Sequence, residues 1–257
     1  MDPERKVCII TGGGTGVGEA VAVKLAKLGY AIVLVGRTQS KLDAAKMKVE
    51  AVGGTALTYA CDVGDYNAVQ GMVKYTLEKL GRVDVLVNSA GVGGRKRSIR
   101  TVESDDVERV LRINLMGPIY CTQAVLPDML SRKEGTIVNV SSLAAYTPGP
   151  LSGPVYAASK AGLNNFNEYL NVELRNTGIR ACVIVPGEID TPILESRPVP
   201  PSKAARATMM TADDVAEAVV MAVTMPHRTL VEEIILRPTM VRDRSKEVIP
   251  LEPLLDL

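Results

Sequence analysis

Residues 7–18 read VCIITGGGTGVG: a short β-branched run, a glycine-rich turn, and the opening of a helical pattern. VCIIT (7–11) has the character of a buried strand. Behind it, Gly12, Gly16 and Gly18 let the backbone turn tightly and come close to an anion. The helix that follows offers free N–H groups and a positive dipole end at the same place. Val17, Val21, Leu25 and Leu28 recur at helical spacing, with Lys24 and Lys27 opposite, until Gly29 stops the pattern. Strand, phosphate-shaped turn and helix in that order form the first βα unit of a dinucleotide-binding sheet.

The same alternation continues outward. Further apolar runs are AIVLV (31–35), TALTYA (55–60), VDVLVN (83–88), TIVNV (136–140), ACVIV (181–185) and EIILR (233–237). Most are apolar without strict alternation, as in parallel strands covered on both faces. Helical patterns lie between them at 39–52, 65–80, 104–131, 156–176 and 211–224. The one at 104–131 is expected to break or bend near Gly117-Pro118, where proline removes a backbone donor. Thr211 followed by Asp213 and Asp214 supplies a cap and favourable charge to the last. The pattern predicts an α/β fold: a Rossmann-like, doubly wound, seven-stranded and mainly parallel sheet with helices on both faces. No shift in composition marks a boundary, so one domain is expected over 1–257, with a lid at 191–210 and a C-terminal tail at 238–257.

The 257 residues are 46% hydrophobic and 23% charged, with 30 basic against 29 acidic side chains. That balance gives no footing for nucleic acid or an anionic membrane. The start, MDPERKVCII, does not read as a signal peptide, and no run is long enough to span a bilayer. Cys8, Cys61, Cys121 and Cys182 are scattered without ligand-like spacing and read as buried thiols of a reducing, cytoplasmic protein. His227 stands alone, and no metal site is expected.

The spacing G-x-x-x-G-x-G in TGGGTGVG (11–18) resembles the cofactor loop of the short-chain dehydrogenase/reductase family, in its single-domain branch. The resemblance implies cofactor contacts from Gly12, Thr15, Gly16, Val17 and Gly18. An NAD enzyme carries an acidic residue about 20 residues past the glycines. Here VLVGRTQSK (33–41) puts Gly36 and Arg37 there, with Thr38 and Lys41 close behind. A carboxylate would repel a 2′-phosphate, whereas Arg37 offers it a charged fork. NADP(H) is therefore expected over NAD(H). CDV (61–63) and NSAG (88–91) follow the third and fourth strands. The resemblance implies Asp62 and Val63 at the adenine, and Asn88, Ala90 and Gly91 along the cofactor. In PGEIDTP (186–192) it implies Pro186, Gly187, Ile189 and Thr191 around the nicotinamide.

Two Tyr–Lys pairs share one spacing, YTLEK (75–79) and YAASK (156–160). The second follows NVSS (139–142), which ends the fifth strand at the ligand edge of the sheet. Residues i and i+4 share a helix face, so Tyr156 and Lys160 can address one ligand. A free tyrosine has a pKa near 10, and a neighbouring Lys⁺ with the oxidised nicotinamide would lower it. The resemblance selects Ser142, Tyr156 and Lys160 as catalytic and adds Asn114 of RINLMG (112–117) as the end of a proton relay. It implies an alcohol dehydrogenase or carbonyl reductase in which Tyr156 gives or takes the proton, Ser142 holds the carbonyl oxygen, and Lys160 binds the ribose and tunes Tyr156.

Leu143, Tyr146, Glu188 and Arg197 are candidate substrate contacts, beneath a lid stiffened by four prolines in 191–210. The basic run RKRSIR (95–100) reads as a solvated charge run. The expected partner is a small carbonyl or alcohol substrate, with no nucleic acid or membrane. The resemblance implies a homo-oligomer, dimer or tetramer, packed through the helices at 104–131 and 156–176. Two other classes compete. A sugar-nucleotide epimerase or dehydratase shares the Tyr–Lys pair but needs a larger substrate region. A non-catalytic dinucleotide sensor needs the glycines but not Ser142, Tyr156 and Lys160 together.

Overall fold

The structure, a computed structural model, describes residues 5–248. Seven strands, β1 (Val7–Thr11), β2 (Ala31–Gly36), β3 (Thr55–Ala60), β4 (Val85–Asn88), β5 (Gly135–Val140), β6 (Ile179–Pro186) and β7 (Glu233–Leu236), form one sheet. Their order is β3-β2-β1-β4-β5-β6-β7. Every pairing is parallel. The order reverses between β1 and β4, where open parallel sheets bind ligands at their C-terminal edge.

The helices are α1 (Gly16–Lys27), α2 (Gln39–Ala51), α3 (Tyr66–Leu80), α4 (Ser104–Leu111), α5 (Gly117–Arg132), α6 (Pro154–Glu173), α7 (Lys203–Arg206) and α8 (Ala212–Thr224). They cover the sheet on both sides, and the period of two along each strand decides which core each residue joins. Cys8 and Ile10 of β1 meet Val21 and Leu25 of α1 and Val215 and Val219 of α8. Val7 and Ile9 meet Met72 of α3, Val125 and Met129 of α5, and Leu170 of α6. Each such side chain contributes about 1.5–3 kcal/mol when fully buried. The edge strands β3 and β7 are only partly buried, which fits their weaker apolar character.

Of the break or bend expected near Gly117-Pro118, no break is present. Chain 104–132 is helical throughout, and the irregularity is a π-helical turn at Arg112–Met116. There the Gly117 N–H reaches back to the Arg112 carbonyl. The wider turn absorbs the disturbance that the missing Pro118 donor would otherwise place in the ladder. Thr211 and Asp214 cap α8 reciprocally, side chain to backbone in both directions. The strand expected at 83–88 shortens to Val85–Asn88, because the Asp84 carboxylate instead accepts from the Val7 N–H at 2.8 Å and pairs with Arg82 and Arg132. Of the expected tail, residues 249–257 lie outside the described residues. All four cysteines are free and buried. Among the described residues no helix is long and apolar enough to cross a membrane, and no His/Cys/Asp/Glu cluster could hold a metal.

Candidate active site

The glycine turn is packed against the loop after β4. Gly12 has φ +66°, and a Cβ there would lie 2.9 Å from the Ala90 backbone. A Cβ on Gly18 would lie 2.4 Å from the Gly12 carbonyl oxygen, so α1 can start where it does only with glycine at that position. Thr11 ties the two segments together by accepting from the Ser89 and Ala90 N–H groups, each at 3.2 Å. One cleft runs from Gly12, Gly14 and Thr15 past Arg37, Thr38 and Lys41 to Asp62, Val63, Ala90 and Gly91. Arg37, Thr38 and Lys41 are exposed, and neither cation is in an ion pair among the described residues. Asp62 accepts from the Gly64 N–H at 2.9 Å, which fixes its loop.

Other expected cofactor residues take different places. Val17 is on the buried face of α1, in the core. Asn88 is buried and donates to Asn139 at 2.9 Å, which in turn donates to Asn167 at 3.0 Å. This amide ladder escaped the sequence reading, because its members come from two strands and a helix. Thr191 lies beside the glycine turn, its Cγ2 3.4 Å from where a Gly16 Cβ would be. Pro186 ends β6 opposite Leu236. Ile189 bridges to Met210, which closes the base of the 191–210 segment. Gly187 passes close to Leu143 and Pro238.

Ser142 follows β5 and caps a short 3₁₀ turn, Leu143–Ala145, by accepting from the Ala144 N–H at 3.2 Å. Its hydroxyl also acts on the Tyr156 phenol, favouring the ionised form. Tyr156 and Lys160 lie one turn apart on α6, with the ammonium 5.9 Å from the phenol ring centroid. Lys160 is buried and donates to the Val140 carbonyl at 2.8 Å. A Cβ on Gly91 would lie 3.6 Å from both Lys160 Nζ and Asn114 Oδ1, so these groups meet beside that glycine. Asn114 is fully buried. It accepts from the Val92 N–H at 2.8 Å and donates to the Val92 carbonyl at 2.9 Å and to Ser159 at 3.1 Å. The four expected catalytic residues are thus gathered at the C-terminal edge of β4 and β5. The other pair is not: Tyr75 packs on Tyr59, ring centroids 5.3 Å apart, and Lys79 is exposed.

In the chain alone, burial dominates the electrostatics of both Tyr156 and Lys160. Burial pushes the Tyr156 phenol up, opposed by the Ser142 hydrogen bond and by the charges of Arg97 and Arg197. Burial also pushes Lys160 down, to about 8.

The expected substrate residues divide. Glu188 and Arg197 are joined at 3.3 Å and share a four-charge cluster with Arg242 and Glu247. Tyr146 is half exposed, and its hydroxyl donates to Glu233. The basic run 95–100 is only partly solvated. Arg95 pairs with Asp105, while Arg97 turns inward and donates to the Ser152 carbonyl at 2.7 Å. A sequence hint for Arg97 existed in the Gly93-Gly94 pair ahead of it, which leaves room for a large side chain to fold back.

A family model described as short chain dehydrogenase matches residues 6–199. An uncharacterized oxidoreductase of Staphylococcus epidermidis is 32% identical over 91% of this chain and 98% of its own. A metagenomic short-chain oxidoreductase solved with NADP superposes with a TM-score of 0.80 at 32% identity, covering 92% of this chain and 98% of that one. An NAD⁺-bound xylitol dehydrogenase gives a TM-score of 0.81 at 27% identity, covering 90% and 96%. With a family match over most of its length and relatives of this similarity end to end, the chain belongs to the short-chain dehydrogenase family of oxidoreductases.

Proposed function

We propose that the protein is an NADP(H)-dependent oxidoreductase that interconverts a carbonyl compound and its alcohol, with Tyr156 as proton donor and acceptor. The observation that carries this reading is the placement of Tyr156 one helical turn from the buried Lys160, its ring 5.9 Å from the ammonium, with the Ser142 hydroxyl acting on the phenol. A sensor has no need of that constellation.

The chain's own surfaces fit a dinucleotide. The glycine turn cannot carry a Cβ at Gly12 or Gly18, and it presents the start of α1 to an anion. Arg37, Thr38 and Lys41 line the same cleft and suit a 2′-phosphate. Gly12, Thr15, Gly16, Asp62, Val63, Ala90, Gly91 and Thr191 would hold the rest. When bound, the reduced dinucleotide supplies the hydride accepted by the carbonyl carbon. Ser142 donates a hydrogen bond to the carbonyl oxygen as charge builds on it. Tyr156 delivers its proton to that oxygen, and Lys160 and Asn114 hold the route by which the proton is replaced.

Both nicotinamide cofactors occur among the solved relatives, so Arg37 rather than kinship supports the NADP(H) preference. Exposed Tyr169 and Val172 on α6 support self-association through that helix, as dimer or tetramer. The buried thiols agree with a cytoplasmic setting.

Oxidation of NADPH and of NADH, followed by absorbance with aldehydes, ketones, quinones and keto acids, tests the reading. Carbonyl-dependent turnover is expected, faster with NADPH and reduced about 10²–10⁴-fold in Tyr156→Phe. Equal rates in the two proteins would refute the mechanism. Gly36→Asp with Arg37→Ala should move the preference toward NADH.

A further inference from the structure

Arg97 is a partly buried cation beside the site, and its donors are not used up. Its loop is held from outside: Asp106, buried on α4, accepts from the Arg95 N–H at 2.7 Å and binds Arg109 at 2.6 Å. The side chain then runs under the loop before α6, where a Cβ on Gly153 would come within 3.1 Å of Arg97 Cδ. Nη1 is committed to the Ser152 carbonyl. The opposite edge of the guanidinium is not committed. Nε is buried without a hydrogen-bond partner, and Nη2 donates to no group among the described residues. That edge lies near the lid, since a Cβ on Gly93 would be 3.1 Å from Nη2 and 3.3 Å from Ser196 Oγ. It also lies near the reacting tyrosine, because the Arg97 charge acts on the Tyr156 phenol.

An unpaired charged donor cut off from water is costly unless something completes it. Arg197 also acts on Tyr156, but Glu188 and Glu247 already neutralise it. Arg97 has no bonded carboxylate among the described residues. The Nε and Nη2 hydrogens point the same way and match the two oxygens of one carboxylate.

We propose that Arg97 is the substrate-anion receptor of this site and that the substrate is a carbonyl compound bearing a carboxylate, a keto acid reduced to its hydroxy acid. The inference rests on the carbonyl-reductase reading and narrows it. The carboxylate completes the Nε–Nη2 edge and so places the carbonyl carbon and oxygen between the hydride donor and Tyr156. Arg97 thus selects for charge, while Ser142 and Tyr156 act on the carbonyl.

The test compares keto acids with their methyl esters and their phosphonate analogues, using the NADPH-loaded protein. For the wild type, kcat/KM for the acid should exceed that for the ester by about 100-fold. In Arg97→Met the acid-to-ester ratio should fall by about the same factor, carried by KM rather than kcat. Arg97→Lys, which keeps the charge but not the fork, should fall between them. Binding of an unreactive carboxylic acid, read as a thermal shift, should be lost in Arg97→Met. An ester used as well as the acid by the wild type overturns the proposal while leaving the carbonyl-reductase reading intact. A ratio unchanged within threefold in Arg97→Met also overturns it, and so does a clear preference for the phosphonate. No reduction of any carbonyl would refute the reading itself.

Discussion

Lys160 shows how a single residue can be kept at a cost to the fold. Its stem suits the inner face of α6, but its ammonium is buried against a backbone carbonyl with no carboxylate bonded to it. Burial lowers its pKa to about 8, while the unfolded chain holds it near the ordinary value of 10.5. Below pH 8 both states carry the proton, and the folded state alone bears the cost of burying the charge. Between pH 8 and 10.5 the unfolded state binds more protons, so stability rises with pH through that window. Above it the cost is gone. Lys160→Met should therefore stabilise the protein without bound dinucleotide by about 1–3 kcal/mol at pH 7, the lost bond to Val140 offsetting part of the gain. The gain should fade by pH 10.5, and turnover should be lost throughout. Urea unfolding of both proteins at pH 7 and pH 10.5 measures this. An equal or lower stability of the variant at pH 7 would mean the ammonium is better accommodated than its surroundings indicate. Arg97 stands beside Lys160 in this respect, since both are cations held where water does not reach freely. Neither environment is legible locally: YAASK gives the spacing of Tyr156 and Lys160 but not the burial that moves their pKa values.

Among the elements, the passage from α4 to α5 carries most of the positional work. Its π-helical turn rotates Asn114 toward the loop after β4, where the amide bonds both backbone groups of Val92 and the Ser159 hydroxyl. Ser159 in turn donates to the Tyr156 carbonyl at 2.7 Å. One side chain thus links the cofactor-side loop to the first turns of α6. Asn114→Ala leaves both Val92 groups unpaired and should cost about 1–3 kcal/mol of stability. It should also slow turnover by at least about tenfold, because Gly91 and Lys160 lose their common support. Hydrogen exchange at 89–94 should speed up together with the loss of rate. A fall in stability with unchanged kcat and unchanged exchange would reduce Asn114 to a packing residue. The proline at 118 told the sequence reading that the helix is disturbed. It could not tell where, because a ladder can absorb a missing donor several residues upstream. The sheet was far easier to read. Every central strand is covered on both faces, so its apolar run is continuous and its ends are marked by Gly, Pro or a charge.

At the scale of the whole molecule, segments distant in sequence converge on Glu188 at the end of β6. Arg197 comes from the segment above the site, and Arg242 and Glu247 come from the chain beyond β7. No local pattern announces such a cluster, because its partners are separated by up to 54 residues and each alone reads as a surface charge. Beyond β7 the described tail turns back toward Glu188. Arg242 donates to Glu188 at 2.6 and 2.9 Å, and Glu247 accepts from both arginines. The Arg242 and Glu247 side chains are only 10% and 8% exposed, so salt should screen the pairing poorly. The cluster fastens the tail to the 191–210 segment through Arg197. Removing Arg242 leaves two carboxylates to share Arg197, an arrangement that burial punishes more than it would at a surface. Arg242→Met should cost about 2–3 kcal/mol and raise KM, because the segment carrying Arg197 loses its anchor. Adding Glu247→Leu removes the excess carboxylate, and the double variant should recover part of that loss, with a coupling of about 1–3 kcal/mol. Denaturant unfolding of the wild type, both single variants and the double variant gives the coupling directly. Additive losses would show that the four charges act independently, and the tail would then lie over the site without holding it.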